Sequence, residues 1–385
     1  MAAPANSAVQ SFRVAVPRKL IDGILARVRS AHWPDRLNGD PWQYGADWGY
    51  MKELAEYWTS RFDWRKAEAK LNASPQFRAR VDDFDIHFYH ARGAGSRPMP
   101  VVLTHGWPGS VVEFLDAIDP LTNPAKHGGS PADAFDVVIP SLPGFGFSSK
   151  PKAPVGPATI AKLWHKLMTE MLGYSRFGAQ GGDWGQAVAI QLAAQFPGSL
   201  AGIDLSGTTA RALPESEQTE DERAWVRRSA AYRQTELDYF GEQSRKTQTV
   251  SFVLSDSPLG LAAWIVEKFK VWSDSGEGIE HAFTKDQLLT NVMLYLVTDT
   301  AGSAPWIYRG SADEPSSPRR KIGVPTGFAA FPKEMPLFLP PRRFLEQDFN
   351  LIHYTQMPRG GHFACLEQPQ LFVEDMRTFF RKVRA

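Results

Sequence analysis

Residues 181–185, Gly-Gly-Asp-Trp-Gly, have the residue types and the spacing that can present Asp183 as a nucleophile. The pattern Gly-x-nucleophile-x-Gly is typical of a sharp turn between a strand and a helix, where glycine tolerates the close approach of the backbone. A carboxylate with a reference pKa of about 3.9 is ionised at neutral pH, so it needs no base to attack. Aspartate at this position can therefore attack an electrophilic sp³ carbon and form an alkyl ester. The alternative is a glycine-rich turn in which Asp183 only caps the following helix.

A second loop, His-Gly-Trp-Pro-Gly-Ser at residues 105–110, follows a short apolar strand over 101–104. Backbone N–H groups in such a loop can point at an oxyanion. We predict that the amides of Trp107 and Trp184 form this pair of donors. They would first hold the Asp183 carboxylate and later stabilise the tetrahedral species at its carbonyl carbon. A plain tight turn is the alternative for this loop.

A candidate general base, His362, lies in the segment Gly-Gly-His-Phe at residues 360–363. Histidine titrates near neutral pH, which suits it to accept a proton from water. In the chain order nucleophile, acid, histidine, the base comes last. Of the nine histidines in the chain, only His362 follows the last predicted core strand. We expect the other histidines that we considered to be structural: His87 and His90 on an alternating strand, His165 on a helix, and His105 in its turn.

The acid that orients His362 is predicted to be Glu334, because it follows the strand predicted over residues 324–331. Asp348 is a rival, but it directly precedes the strand over 351–357 and should lie at the opposite end of the sheet. Asp313 is a second rival, in a Pro/Ser-rich segment. Position along the predicted strands favours Glu334 over both.

Short apolar strands that alternate with helices surround these motifs and predict an α/β fold with a mostly parallel central sheet. Helical periodicity indicates that about the first 75 residues form a helical leader rather than a sheet. The alternation fails from about 210 to 315, where the chain is helical and rich in aromatic residues. We therefore divide the chain into four parts: an N-terminal helical extension leading into the first strands (1–92), the first part of the core (93–209), a helical lid (210–315) and the second part of the core (316–385).

Composition limits the possible partners of the chain. Its 385 residues contain 43 Lys+Arg and 42 Asp+Glu, a formal charge of +1 that argues against nucleic acid as a partner. The single cysteine, Cys365, excludes an intrachain disulfide and a cysteine-cluster metal site. The segment Gly-Phe-Gly-Phe-Ser-Ser at residues 144–149 partly resembles a dinucleotide-binding loop, but no acidic residue follows at the position that such a site requires. We expect this segment to be a turn that supports the catalytic loops. We predict no metal and no cofactor.

Residues 1–6 lack the pattern of a secretion signal, and the sequence has no apolar run long enough to cross a bilayer. We therefore expect a soluble cytoplasmic protein without a membrane anchor. The 46 aromatic residues, 12 Trp, 10 Tyr and 24 Phe, can line an apolar ligand pocket as well as fill a core. His105, Pro108 and Trp264 are candidate substrate-binding residues.

Together these motifs resemble the epoxide hydrolases of the α/β-hydrolase fold, most closely the microsomal and juvenile-hormone branch in its soluble bacterial form. The resemblance covers nearly the whole chain, in blocks at 42–45, 57–58, 62–65, 105–110, 181–185, 256–263, 291–295, 324–328 and 360–363. It implies that two lid tyrosines, Tyr239 and Tyr308, bind and protonate the epoxide oxygen. Eukaryotic members of this branch carry an N-terminal anchor, which this sequence lacks.

The resemblance implies a cofactor-free hydrolase that converts a small apolar epoxide and water to a vicinal diol, in detoxification or in secondary metabolism. Asp183 would form the ester, and His362 with Glu334 would activate the water. A haloalkane or haloacid dehalogenase, which uses the same nucleophile and base, is the nearest alternative. A non-catalytic binding protein of the same fold is the other. The leader could clamp the lid or form a homodimer.

Overall fold

The computed structural model describes residues 9–276, 278–315 and 320–384. Residues 1–6, on which the expectation about a secretion signal rests, lie outside this part of the chain. The described residues form nine strands: β1 (Gln10–Phe12), β2 (Gln76–Val81), β3 (Phe84–Ala91), β4 (Met99–Thr104), β5 (Phe135–Pro140), β6 (Phe177–Gly181), β7 (Leu200–Leu205), β8 (Ile322–Ala330) and β9 (Phe349–Gln356).

All nine strands belong to one sheet in the order β1-β2-β3-β5-β4-β6-β7-β8-β9. The pairs β1–β2, β2–β3 and β3–β5 are antiparallel. From β5 through β4 to β9, every neighbouring pair is parallel. Every residue of β5 and β7 is buried, as expected for parallel strands covered on both faces. The predicted α/β fold with a mostly parallel sheet is confirmed.

Helices cover the sheet and fill the long stretch between β7 and β8. They are α1 (Arg18–Arg29), α2 (Trp48–Ser60), α3 (Trp64–Leu71), α4 (Ile118–Thr122), α5 (Pro157–Lys166), α6 (Asp183–Gln195), α7 (Glu220–Thr235), α8 (Asp238–Arg245), α9 (Thr247–Asp256), α10 (Pro258–Val271), α11 (Lys285–Val297), α12 (Trp306–Asp313), α13 (Arg342–Asp348), α14 (Ala364–Glu367) and α15 (Pro369–Arg381). We call the segment that contains α7 to α12 the lid.

The prediction that the leader contains no sheet is wrong at one place. Strand β1 lies inside the leader and pairs antiparallel with β2, with Gln10 opposite Arg78. Three residues are too few to show the alternation that reveals a strand in a sequence, so the pattern could not predict it. In the described part of the leader, the helices α1, α2 and α3 follow β1, as expected.

Close packing of α6 on β4 brings the two predicted catalytic loops together. A β-carbon at Gly185 would lie 1.8 Å from the carbonyl oxygen of Thr104, the last residue of β4. A β-carbon at Gly181 would lie 2.2 Å from the backbone of Gly185. Only glycine allows backbones to approach this closely. The start of α6 at Asp183 is therefore held directly beside the loop that leaves β4.

In the part of the chain that the structure describes, no single helix is long and apolar enough to span a membrane. Helices α9 and α10 satisfy that length and composition only as a pair, and they are bent by 114° at the break between them.

Candidate active site

The Asp183 carboxylate lies between a backbone donor and an imidazole. Its Oδ1 accepts a 2.8 Å hydrogen bond from the backbone N–H of Trp107, and its Oδ2 lies 3.4 Å from Nε2 of His362. Asp183 itself has a φ of +47°, a conformation that costs free energy for any residue except glycine. Because a β-carbon at Gly106 would meet Oδ1 at 2.1 Å, the glycine leaves room for the carboxylate.

His362 is oriented by a buried glutamate. Its Nδ1 lies 2.8 Å and 3.1 Å from the two carboxylate oxygens of Glu334, which also accepts the backbone N–H of Met335 at 2.7 Å. Both side chains are buried. With Nδ1–H donating to the carboxylate, Nε2 is the ring nitrogen that faces Asp183. The structure thus brings together Asp183, His362 and Glu334 as predicted.

The two rival acids lie elsewhere. Asp348 accepts hydrogen bonds from the backbone and the guanidinium of Arg211. Asp313 forms an ion pair with Arg309 one turn away on α12. Neither carboxylate contacts His362, which agrees with the choice of Glu334 from strand order.

Two opposing effects set the proton affinity of His362. Burial disfavours the imidazolium and lowers its pKa, but the carboxylates of Glu334 and Asp183 outweigh burial and raise the pKa well above its usual range. A carboxylate partner favours the charged form of a histidine. His362 therefore holds its proton firmly while Asp183 is ionised, and its pKa falls if that charge is removed.

The loop that carries His362 is tied to the lid, a feature that the sequence did not reveal. The backbone N–H of His362 donates to the carbonyl of Trp272 at 2.8 Å, just after α10. The carboxylate of Glu367 accepts the backbone N–H groups of Asp274, Gly361 and Phe363 at 2.8, 3.0 and 3.0 Å. Glu367 therefore joins the residues on both sides of His362 to Asp274 in the lid.

Both predicted lid tyrosines lie near the nucleophile. Tyr308 of α12 is 2% exposed, and its ring meets the ring of Trp184 edge-on at a centroid distance of 4.7 Å. The ring of Tyr239, on α8, lies 6.2 Å from that of Tyr308. Burial raises the pKa of both phenols, and the Asp183 carboxylate raises each further. Both therefore keep their protons at neutral pH.

Gln243 connects the lid to the predicted oxyanion loop and was missed by sequence reasoning. Its Oε1 accepts the indole N–H of Trp107 at 2.8 Å. Its Nε2 and the Nε1 of Trp184 are buried without a hydrogen-bond partner among the described residues. Both groups lie beside the hydroxyl of Tyr308 and act to lower its pKa. The only sequence signal is that Gln243 follows Tyr239 by one helical turn.

The second predicted oxyanion donor, the amide of Trp184, lies in the first turn of α6. Amides at this position have no partner within their own helix and are open to an acceptor. In the described part of the chain this N–H makes no hydrogen bond, whereas that of Trp107 already holds Asp183.

The candidate substrate-binding residues occupy different positions. His105 hydrogen-bonds the carbonyl of Gly106 and the amide of Leu142, so both ring nitrogens support the loop. Burial lowers the pKa of His105 to about 4, and it is neutral at pH 7. The carbonyl of Pro108 accepts from Asn291 at 2.8 Å. Trp264 lies on α10 with its indole N–H buried and unpartnered among the described residues. A role in binding substrate remains a prediction for all three.

A small cavity of about 10 Å³ adjoins the nucleophile and the base. Its lining includes Asp183, His362, Gly109 and Glu113. In the described ranges, no group of three or more His, Cys, Asp or Glu side chains could hold a metal ion.

Residues 9–114 match the family model described as epoxide hydrolase N terminus, and residues 99–263 match the one described as alpha/beta hydrolase fold. The chain is 43% identical, over 98% of its length and 86% of the relative, to a protein of Stigmatella aurantiaca named as a candidate epoxide hydrolase. It is 34% identical to epoxide hydrolase 1 of Sus scrofa, over 98% and 90% of the two chains.

The crystal structure of juvenile hormone epoxide hydrolase from the silkworm Bombyx mori superposes with a TM-score of 0.89 at 27% identity, over 98% of this chain and 95% of that one. The similarity therefore spans the leader, the core and the lid together. Together with the relatives that match nearly the whole chain, this similarity shows that the chain belongs to the epoxide hydrolases of the α/β-hydrolase fold.

Proposed function

We propose that the chain opens an epoxide to a vicinal diol in two steps, through an alkyl ester on Asp183. The single observation that carries this proposal is the contact of the Asp183 carboxylate with Trp107 N–H on one oxygen and His362 on the other. A carboxylate held in this way has a lone pair available for attack, and a base nearby can activate the water that hydrolyses the resulting ester.

In the first step, Asp183 attacks one ring carbon and the carbon–oxygen bond to the epoxide oxygen breaks. The leaving alkoxide is poor, so donors that strengthen as its charge develops lower the barrier. Tyr239 and Tyr308 are the proposed donors, and one of them gives its proton to that oxygen. The burial of Tyr308 against Trp184, the ring contact of the half-buried Tyr239 with Tyr308, and the interaction of both phenols with Asp183 support this role.

The ester removes the Asp183 charge, so the pKa of His362 falls and the imidazolium loses its proton to solvent. In the second step, the neutral imidazole takes a proton from water, and the hydroxide attacks the carbonyl carbon of the Asp183 ester. The amides of Trp107 and Trp184 stabilise the oxyanion. The imidazolium then gives its proton to the departing alcohol oxygen. The proton left on the Asp183 carboxyl passes to the tyrosinate formed in the first step, which regenerates the neutral tyrosine, and His362 regains its proton from solvent once the Asp183 carboxylate is restored. The diol therefore carries one oxygen that belonged to Asp183, while water replaces that oxygen in the enzyme.

The substrate class proposed is a small apolar epoxide. The rings of Phe240, Trp184 and Tyr308 lie within 6.2 Å of one another at the nucleophile and offer an apolar wall. A haloalkane or haloacid dehalogenase would use the same nucleophile and base, but the buried phenol of Tyr308 and the half-buried phenol of Tyr239 favour an oxygen leaving group. A non-catalytic binding protein would not require a base aligned between two carboxylates.

The two steps can be separated by substitution. In His362→Gln, the ester should form but decay about 10²–10⁴-fold more slowly, because general base catalysis is lost. Mass spectrometry of the protein after mixing with styrene oxide should then show an adduct of the mass of the epoxide. Asp183→Ala is the matched control and should show no adduct. Adducts of equal yield in both variants would contradict the assignment.

Loss of one lid phenol should slow ester formation and not ester decay. Tyr239→Phe and Tyr308→Phe should each lower the rate of ester formation by about 10²-fold, the usual effect of removing one donor to a developing oxyanion. Tyr354→Phe, on β9 and outside the site, is the control. Stopped-flow tryptophan fluorescence can follow the ester in single turnovers. Wild-type rates in both lid variants, or halide release without diol formation, would favour the dehalogenase.

The pH dependence of ester decay should differ from the titration of the free enzyme. The Asp183 charge helps to raise the pKa of His362, and the ester removes that charge, so the pKa should fall in the intermediate. The base acts when neutral, so decay is lost as pH falls through this lower pKa. The midpoint of the single-turnover decay rate should therefore lie below the midpoint of the His362 titration by NMR in the free enzyme. Coincident midpoints would contradict the argument.

A further inference from the structure

A half-buried glutamate next to the site has no role in the steps above. Glu113 lies in the 3₁₀ helix Val111–Ala117, which begins directly after the loop that carries Trp107. Its side chain lines the same small cavity as Asp183 and His362. Carboxyl groups more often lie in solvent than in the wall of a small cavity, so its position calls for an explanation.

The backbone makes specific room for this carboxyl. A β-carbon at Gly109 would lie 1.7 Å from Oε1 of Glu113, closer than any two such atoms can approach. The carboxyl therefore occupies the space that a side chain at position 109 would fill. The glycine of the predicted loop is needed for Glu113 to reach the cavity beneath Trp107.

The cavity has the size and polarity for one water molecule. Its volume of about 10 Å³ is close to the smallest that holds a water, which also needs two to four polar partners. Its walls provide the Asp183 carboxylate, the His362 imidazole, the Glu113 carboxyl and Gln180, whose Oε1 is buried without a hydrogen-bond partner among the described residues.

Glu113 is neutral at pH 7. Burial raises its pKa to about 8, with the His362 imidazolium lowering it and the Asp183 carboxylate raising it. The other titratable groups that interact with it are Glu367 and Cys365 on α14 and Tyr295 on α11. A neutral acid at this place adds no negative charge beside the oxyanion that forms on Asp183.

We propose that Glu113 is a further catalytic residue, which binds the hydrolytic water together with His362. One water hydrogen points to Nε2 of His362 and leaves with the proton transfer. The other is accepted by the carbonyl oxygen of the Glu113 carboxyl. The water lone pair then faces the carbonyl carbon of the Asp183 ester. This inference rests on the proposed two-step mechanism and concerns only its second step.

The test compares Glu113→Leu with Glu113→Gln in single turnovers that resolve ester formation from ester decay. Leucine removes the acceptor, so decay should slow by about 100-fold, the cost of a misplaced reactant, while ester formation changes less than threefold. Glutamine keeps a neutral acceptor of the same shape, so its decay should slow by less than tenfold. Asp116→Asn is the control, on the same 3₁₀ helix but paired with Lys70 at the surface.

A second measurement holds even if the leucine variant misfolds. In the wild type, ester decay should decline on the alkaline side as Glu113 ionises, and Glu113→Gln should abolish that decline. A decline that persists in the glutamine variant, or wild-type decay in folded Glu113→Leu, would overturn the role of Glu113. Absence of any trapped ester in His362→Gln would instead overturn the two-step mechanism, so the two failures are distinguishable.

Discussion

The contact of the Asp183 carboxylate with Trp107 N–H and with His362 is the interaction that the rest of the structure serves. It requires Asp183 at a positive φ, a conformation that the surrounding structure must impose. The glycine contacts between α6 and β4 supply that constraint, because they hold the start of the helix against the end of the strand. A parallel sheet gathers the ends of its strands at one edge, so β4, β6 and β8 can each deliver one part of the site there.

The lid is bound to this centre through polar contacts on two sides. Gln243 of α8 joins the lid to Trp107, while Glu367 and the carbonyl of Trp272 join the loop of His362 to the end of α10. The helix that carries Gln243 also carries Tyr239. The helix that carries Tyr239 is therefore joined by a hydrogen bond to the loop of Trp107, which suits a reaction that depends on the relative positions of several groups.

The sequence could predict the groups whose identity is tied to chain order. Asp183 stands in a motif, and Glu334 and His362 follow particular strands, so strand order sufficed to choose Glu334 over Asp348. Strand β1 was not predicted because three residues are too few to show the alternation of apolar and polar residues that indicates a strand. Gln243 and Glu367 were missed for another reason: each contacts a distant segment, and a lone glutamine or glutamate on a helix resembles any solvated residue until packing buries it.

The proposed mechanism requires that Asp183 is esterified and that water attacks the ester rather than the epoxide. A single turnover in water enriched in ¹⁸O, with enzyme in excess over styrene oxide, distinguishes the two by mass spectrometry of the diol and of the peptide that contains Asp183. The first diol should carry unlabelled oxygen from Asp183, and the label should enter the Asp183 carboxylate. Labelled diol together with unlabelled Asp183 would contradict the mechanism.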